Sequence, residues 1–234
     1  MAAKKIDLLF VPGLLCTRAL WESQIAALAD IADATVADHT RHDSMPAIVR
    51  AILAAAPERF ALAGLSMGGY IAWEIVRQAA GRVTHLALLD TGARADAPER
   101  AEVRRQLIEL AEREGIAKAQ QQLMPVLVHP SRLADKALIE TVVQMAVDTG
   151  VEAFERQQAA IVGRPDNRPL LAGIRCPTLV LVGRQDALTP VELSQEMAAG
   201  IPGAKLEIVP ECGHLSTLER PGTVNRAMRE WLSG

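Results

Sequence analysis

ALAGLSMGGYIA, residues 61–72, is the stretch whose reading decides the fold. An apolar run, Phe60–Leu65, enters it as a buried strand, and residues 67–80 leave it as a helix that stops at Gly81. The chain must therefore reverse within one or two residues, at Ser66. That bend puts the serine in a strained backbone conformation, which is tolerable only between neighbours without bulk, and Gly64 and Gly68 supply them. The reversal would leave the Ser66 hydroxyl above the sheet edge at a helix N-terminus. There the N–H of Met67 can face a developing negative charge. A Gly-x-Ser-x-Gly pattern alone arises by chance; a strand before it and a helix after it make it specific.

Working outward, strands are expected at Ile6–Val11, 33–39, 84–89, 178–182 and Lys205–Val209. Helices are expected at 21–29, at 45–56 with Ser44 as cap and Pro57 as stop, at 191–199 and at 218–232. Alternating strands and helices imply α/β with a mainly parallel sheet of about six strands, since parallel neighbours need a crossover between them. One interval breaks the alternation. Residues 95–168 are rich in Ala, Glu, Arg, Gln and Leu and read as about four helices, at 99–113, 117–126, 132–147 and 151–161. The organisation expected is a core of residues 1–94 and 169–234, with residues 95–168 inserted as a helical cap after the strand ending near Leu89. No internal repeat or low-complexity linker interrupts it.

The chain has 234 residues, half of them hydrophobic, enough for a substantial single core. A formal net charge of −3 gives no reason to expect nucleic acid or an anionic membrane as partner. Cys16, Cys176 and Cys212 lack paired spacing, so neither a metal cluster nor a disulfide framework is expected, and the odd count fits a reducing cytoplasm. The basic start followed by IDLLFVPGLLC imitates a secretion signal. Asp7 inside the run, the Pro12-Gly13 break and the absence of small residues before Cys16 argue instead for a core strand.

A serine hydroxyl needs a base, and the base needs a group that orients it. His214 has the best setting of the five histidines, in ECGHL between the last strand and the last helix, on the sheet edge expected to carry Ser66. Asp186, in VGRQDALTP just after the preceding strand, is the first choice for the acid. Asp90, at the end of the strand after the serine's helix, remains a rival, although a capping or turn role ahead of Gly92 explains it as well. For the oxyanion the candidates are the N–H groups of Met67 and Leu14, with Gly13 allowing close approach. Leu15, Leu188 and Leu215, with Gly13, are candidate substrate-binding positions in an apolar pocket wall. Cys16 reads as a small buried residue rather than a second nucleophile.

These stretches together resemble the α/β-hydrolase superfamily, in the compact branch of small esterases and enol-lactonase-like enzymes. The resemblance runs from LLFVPGLLCT through ALAGLSMGGYIA and LLDTGAR to TLVLVGRQDALTP and ECGHLSTLERP, nearly everything except the helical insert. It implies Ser66 as nucleophile, Asp186 as acid, His214 as base, Leu14 and Met67 as oxyanion donors, and the insert as a cap that selects substrates. It implies a serine hydrolase acting on a small carboxylic ester, lactone or thioester, with no cofactor. A cofactor-free lyase and a ligand-binding receptor share the same scaffold and stay open, as does oligomeric state. Many relatives carry His-Gly where this chain has Pro12-Gly13. The chain also starts at what is usually the family's third strand.

Overall fold

Hydrophobic alternation with period two builds the sheet. In β1 (Ile6–Val11), Leu8 and Phe10 join the core on one face, while Leu9 and Val11 join the core on the other. The structure, a computed structural model, describes residues 5–234, so the first four residues of the signal-like stretch lie outside the described residues. From β1 the chain runs through a turn capped by Thr17 and Arg18–Trp21 into α1 (Glu22–Leu28). β2 (Ala32–Val36), α2 (Met45–Ala55), β3 (Phe60–Leu65), α3 (Met67–Ala79) and β4 (Val83–Leu89) follow. Four helices then leave the sheet: α4 (Arg100–Glu114), α5 (Ile116–Leu127), α6 (Lys136–Thr149) and α7 (Val151–Val162). The chain returns as β5 (Thr178–Gly183), α8 (Val191–Gly200), β6 (Lys205–Val209), α9 (Ser216–Glu219) and α10 (Pro221–Ser233).

The six strands form one sheet in the order β2-β1-β3-β4-β5-β6, and every neighbouring pair is parallel. All six carboxyl ends therefore share one edge. Ligands of such sheets bind in the crevice along that edge. One face packs against α1 and α10 with Leu28, Met228 and Trp231, the other against α2, α3 and α8 with Ile48, Ile71 and Met197. The inserted helices have a cluster of their own around Leu107, Leu110 and Phe154, and it takes in Leu15 from the loop after β1.

Four expectations need correction. The second strand stops at Val36 rather than at residue 39; the chain beyond it turns so that His39 is buried. Ser44 precedes α2, but its side chain makes no capping bond, and its carbonyl accepts from Ala47 and Ile48 instead. The third inserted helix starts at Lys136, because Pro130–Arg132 forms a separate turn and Asp135 caps the helix. The closing helix is two helices broken at Arg220, ahead of Pro221, which cannot continue the hydrogen-bond ladder.

Candidate active site

Ser66 sits where the strand-to-helix reversal predicts, with φ 55° and ψ −115°. A β-carbon on Gly64 would lie 2.3 Å from the carbonyl oxygen of Gly68, and one on Gly68 would lie 2.0 Å from that of Val11. Gly64 thus lets the start of α3 fold back onto β3, and Gly68 lets it press against the end of β1. The strained residue is held from both sides: its N–H donates to Leu89 O at 3.0 Å, and its carbonyl accepts from Gly69 N and the Thr91 hydroxyl. Such a conformation costs about 1–3 kcal/mol and persists only where its surroundings enforce it. Leu15, Asp90 and Glu211 also have positive φ, and each follows the carboxyl end of a strand. Backbone strain gathers on the one edge.

On that edge His214 and Asp186 meet. The Nδ1 of His214 lies 2.8 Å from Asp186 Oδ2, and both side chains are almost wholly withdrawn from solvent. Asp186 also accepts from the N–H groups of Leu188 and Thr189 and from the Thr189 hydroxyl, at 2.8, 2.9 and 2.6 Å. Burial works against its charge, yet the adjacent His214 and these donors hold the carboxyl below its ordinary range. Burial likewise opposes a charged His214, but the acidic groups around it, the hydrogen-bonded Asp186 above all, outweigh it and raise its pKa. Facing an acceptor-only carboxylate, Nδ1 is the protonated nitrogen, and Nε2 is free to take a proton.

Ser66 and His214 line the same cavity, of about 310 Å³. Leu14, Tyr70 and Leu188 contribute from the sheet side, and Val103, Leu107 and Ile161 from the inserted helices. A narrow neighbouring pocket of about 60 Å³ adds Gly13, Cys16 and Leu215 beside the same serine and histidine. Of the candidate wall residues, Gly13, Leu14, Leu188 and Leu215 border these spaces. Leu15 borders neither: its side chain is buried among the inserted helices, and only its backbone serves the loop. Cys16 is buried, and burial pushes its thiol up to about 12, which leaves it a poor nucleophile.

The loop carrying Gly13 and Leu14 is pinned by residues that sequence reasoning missed. His39 Nε2 lies 3.0 Å from the carbonyl oxygen of Gly13, and Gln157 Oε1 of α7 accepts from the Leu15 N–H at 3.2 Å. Cys16 N–H donates back to Gly13 O. The N–H groups of Leu15 and Cys16 are thus engaged, while those of Leu14 and Met67 have no protein acceptor among the described residues. His39 could have been noticed from its place after β2 on the carboxyl edge; Gln157 offered no signal. His39 supports this loop from beyond the end of the neighbouring strand β2.

Asp90 is neither the partner of His214 nor a turn cap. Fully buried, it accepts from Gly183 N at 2.9 Å and from the backbone and hydroxyl of Ser216. Burial first, and then the charge of Asp186, push its carboxyl up to about 8. Glu219, also buried, accepts from Gly213 N at 2.9 Å and His129 N at 2.7 Å, so it ties the histidine loop to the end of α5. No group of three or more His, Cys, Asp or Glu placed to hold a metal occurs among the described residues. No helix among them is long and apolar enough to cross a membrane.

A family model of alpha/beta hydrolases matches residues 8–227. The chain belongs to the alpha/beta hydrolase family. It is 29% identical over 227 residues to the putative carbamate hydrolase RutD of Azorhizobium caulinodans, covering 89% of this chain and 84% of that protein. A thermophilic esterase from Thermogutta terrifontis, solved with malate bound, superposes with a TM-score of 0.88 at 33% identity, over 98% of this chain and 90% of that one. The enol-lactonase of Burkholderia xenovorans LB400 superposes equally well, with a TM-score of 0.88 over 99% and 93% of the two chains. Its 22% identity makes that a likeness of fold.

Proposed function

We propose that this protein is a serine hydrolase that cleaves a small carboxylic ester, lactone or thioester through an acyl-enzyme. The observation that carries the proposal is the His214–Asp186 pair at 2.8 Å, opening onto the same cavity as the strained Ser66 at the start of α3. In this reading Asp186 fixes the imidazole with its proton on Nδ1 and offsets the charge that His214 gains. Nε2 takes the proton of Ser66 as its Oγ attacks the carbonyl carbon, and the carbonyl oxygen becomes an oxyanion facing the N–H groups of Met67 and Leu14. Collapse passes the proton from His214 to the leaving group. Water, deprotonated by the same nitrogen, then releases the acid and restores Ser66. The inserted helices act as a cap whose apolar side chains exclude bulk water from the cavity, which is sized for a small molecule. The likeness to the Thermogutta esterase, the nearer in identity of the two solved structures, favours an ester among the three substrate classes.

The test is a fluorophosphonate probe followed by mapping of the adduct, together with turnover of p-nitrophenyl esters of increasing chain length. The expected label is on Ser66, with kcat lowered about four orders of magnitude or more in Ser66→Ala and His214→Ala. A label elsewhere, or none, removes the nucleophile. Turnover of a substrate without acyl-enzyme accumulation in a burst experiment points to the lyase reading, and tight binding without turnover points to the receptor.

A further inference from the structure

The charged side chains that line the Ser66 cavity are all basic apart from the titratable His214: Arg100 and Arg104 of α4 border it, and no Asp or Glu does. Arg104 is largely committed. It pairs with Asp96 through two bonds of 2.7 and 2.9 Å and donates to Gln158 at 2.7 Å. Asp96 also takes a bond of 2.9 Å from Arg164, whose guanidinium lies 4.1 Å from the Tyr70 ring centre on the cavity wall. A buried guanidinium (Arg164) and a partly buried one (Arg104) therefore share one carboxylate, and these three side chains carry an excess of one positive charge.

Arg100 is different. It is exposed, it forms no ion pair among the described residues, and its one side-chain hydrogen bond there runs from Nη2 to the carbonyl of Leu188 at 3.1 Å. Leu188 is itself a wall residue, and its N–H donates to Asp186. That contact draws the Arg100 guanidinium across from the inserted helices to the loop that bears the acid, at the rim of the cavity. Most of its N–H donors stay uncommitted there. The spaces between are apolar: Leu14, Val103, Leu107, Leu123, Ile161 and Leu188. A wall of that kind binds a hydrocarbon chain, and a free guanidinium at its mouth binds a carboxylate in a two-pronged fashion.

Resting on the hydrolase reading above, we propose that the substrate's acyl group is itself anionic. Its carbonyl sits at Ser66, its short hydrocarbon chain fills the apolar cavity, and its terminal carboxylate pairs with Arg100. The cluster of Asp96, Arg104 and Arg164 reinforces this choice through its net charge, and no Asp or Glu lines the cavity to oppose it.

The test compares two esters that differ only at the chain end: the mono-p-nitrophenyl ester of adipate, ending in a carboxylate, and p-nitrophenyl hexanoate, ending in a methyl group. The quantity read is the ratio of kcat/KM for adipate to that for hexanoate. Arg100→Gln is expected to lower the ratio about tenfold, Arg100→Lys to restore part of it, and 0.5 M salt to lower it in the wild type, because the pair is exposed. The control Arg105→Gln alters an exposed side chain of the same helix that is already paired with Glu102, and should leave the ratio as it is. An unchanged ratio in Arg100→Gln overturns the proposal. If neither ester is turned over, the hydrolase reading falls separately. Calorimetry of adipate with the wild type and Arg100→Gln then decides the carboxylate site, and equal affinities overturn it.

Discussion

His214 lies in a buried pocket that resists its charge, yet the acidic groups beside it, Asp186 above all, raise its pKa. In the proposed hydrolysis His214 acts as a base only when neutral, so the acid limb of kcat/KM should fall above pH 6.5, the ordinary value for the imidazole. Asp186→Asn removes the nearest of those charges and turns the acceptor into a group that can disfavour the Nδ1 proton. The limb should then move down by a unit or more, with turnover falling by orders of magnitude. An unmoved limb in Asp186→Asn would mean that another group sets it. Ser66 and His214 could be singled out as candidates because each stood beyond a strand end. Asp90 was legible only as a possibility. Its bonds to Gly183 at the end of β5 and to Ser216 at the start of α9 reach residues that lie 93 and 126 positions away in the chain.

The junction of β3 and α3 is the element on which the site depends. Its geometry is set by backbone contact rather than by side-chain packing. Gly68→Ala would drive a β-carbon into the carbonyl of Val11, at 2.0 Å, and that backbone belongs to a central strand that cannot yield cheaply. The expected cost is about 3 kcal/mol. Thermal melting should show a midpoint lowered by roughly 10 °C in a chain of this size, and a melt equal to the wild type would deny that the close approach matters. Among the elements, strands were the easiest to place, because buried parallel strands are continuous apolar runs. Helix ends were harder. Pro221 split the last helix, and Pro130 delayed the third inserted one, since proline lacks the N–H that a continuing helix needs.

Across the whole molecule, Asp90 joins the ends of β4 and β5 to the start of α9, just after His214. Its carboxyl, raised to about 8 from 3.8, holds a proton in the folded chain that the unfolded chain has already released over that range. The stability it contributes is therefore complete below pH 3.8 and is lost as pH rises through about 8. Denaturant titrations between pH 6 and 9 should show stability falling with pH in the wild type and falling less in Asp90→Asn; parallel slopes would refute the raised value. By itself the sequence determined the alternation of strands and helices, the single parallel edge, and the GLSMG bend with its serine, because periodicity and glycine spacing are local properties. It also marked 95–168 as helical, from composition. Only the tertiary structure decided which acid meets His214, that His39 and Gln157 brace the Leu14 loop, and that Arg100 stands at the mouth of the cavity. Those are contacts between residues far apart in the chain. Their partners are chosen by how the sheet twists and how the inserted helices settle on its edge, and no local pattern records that.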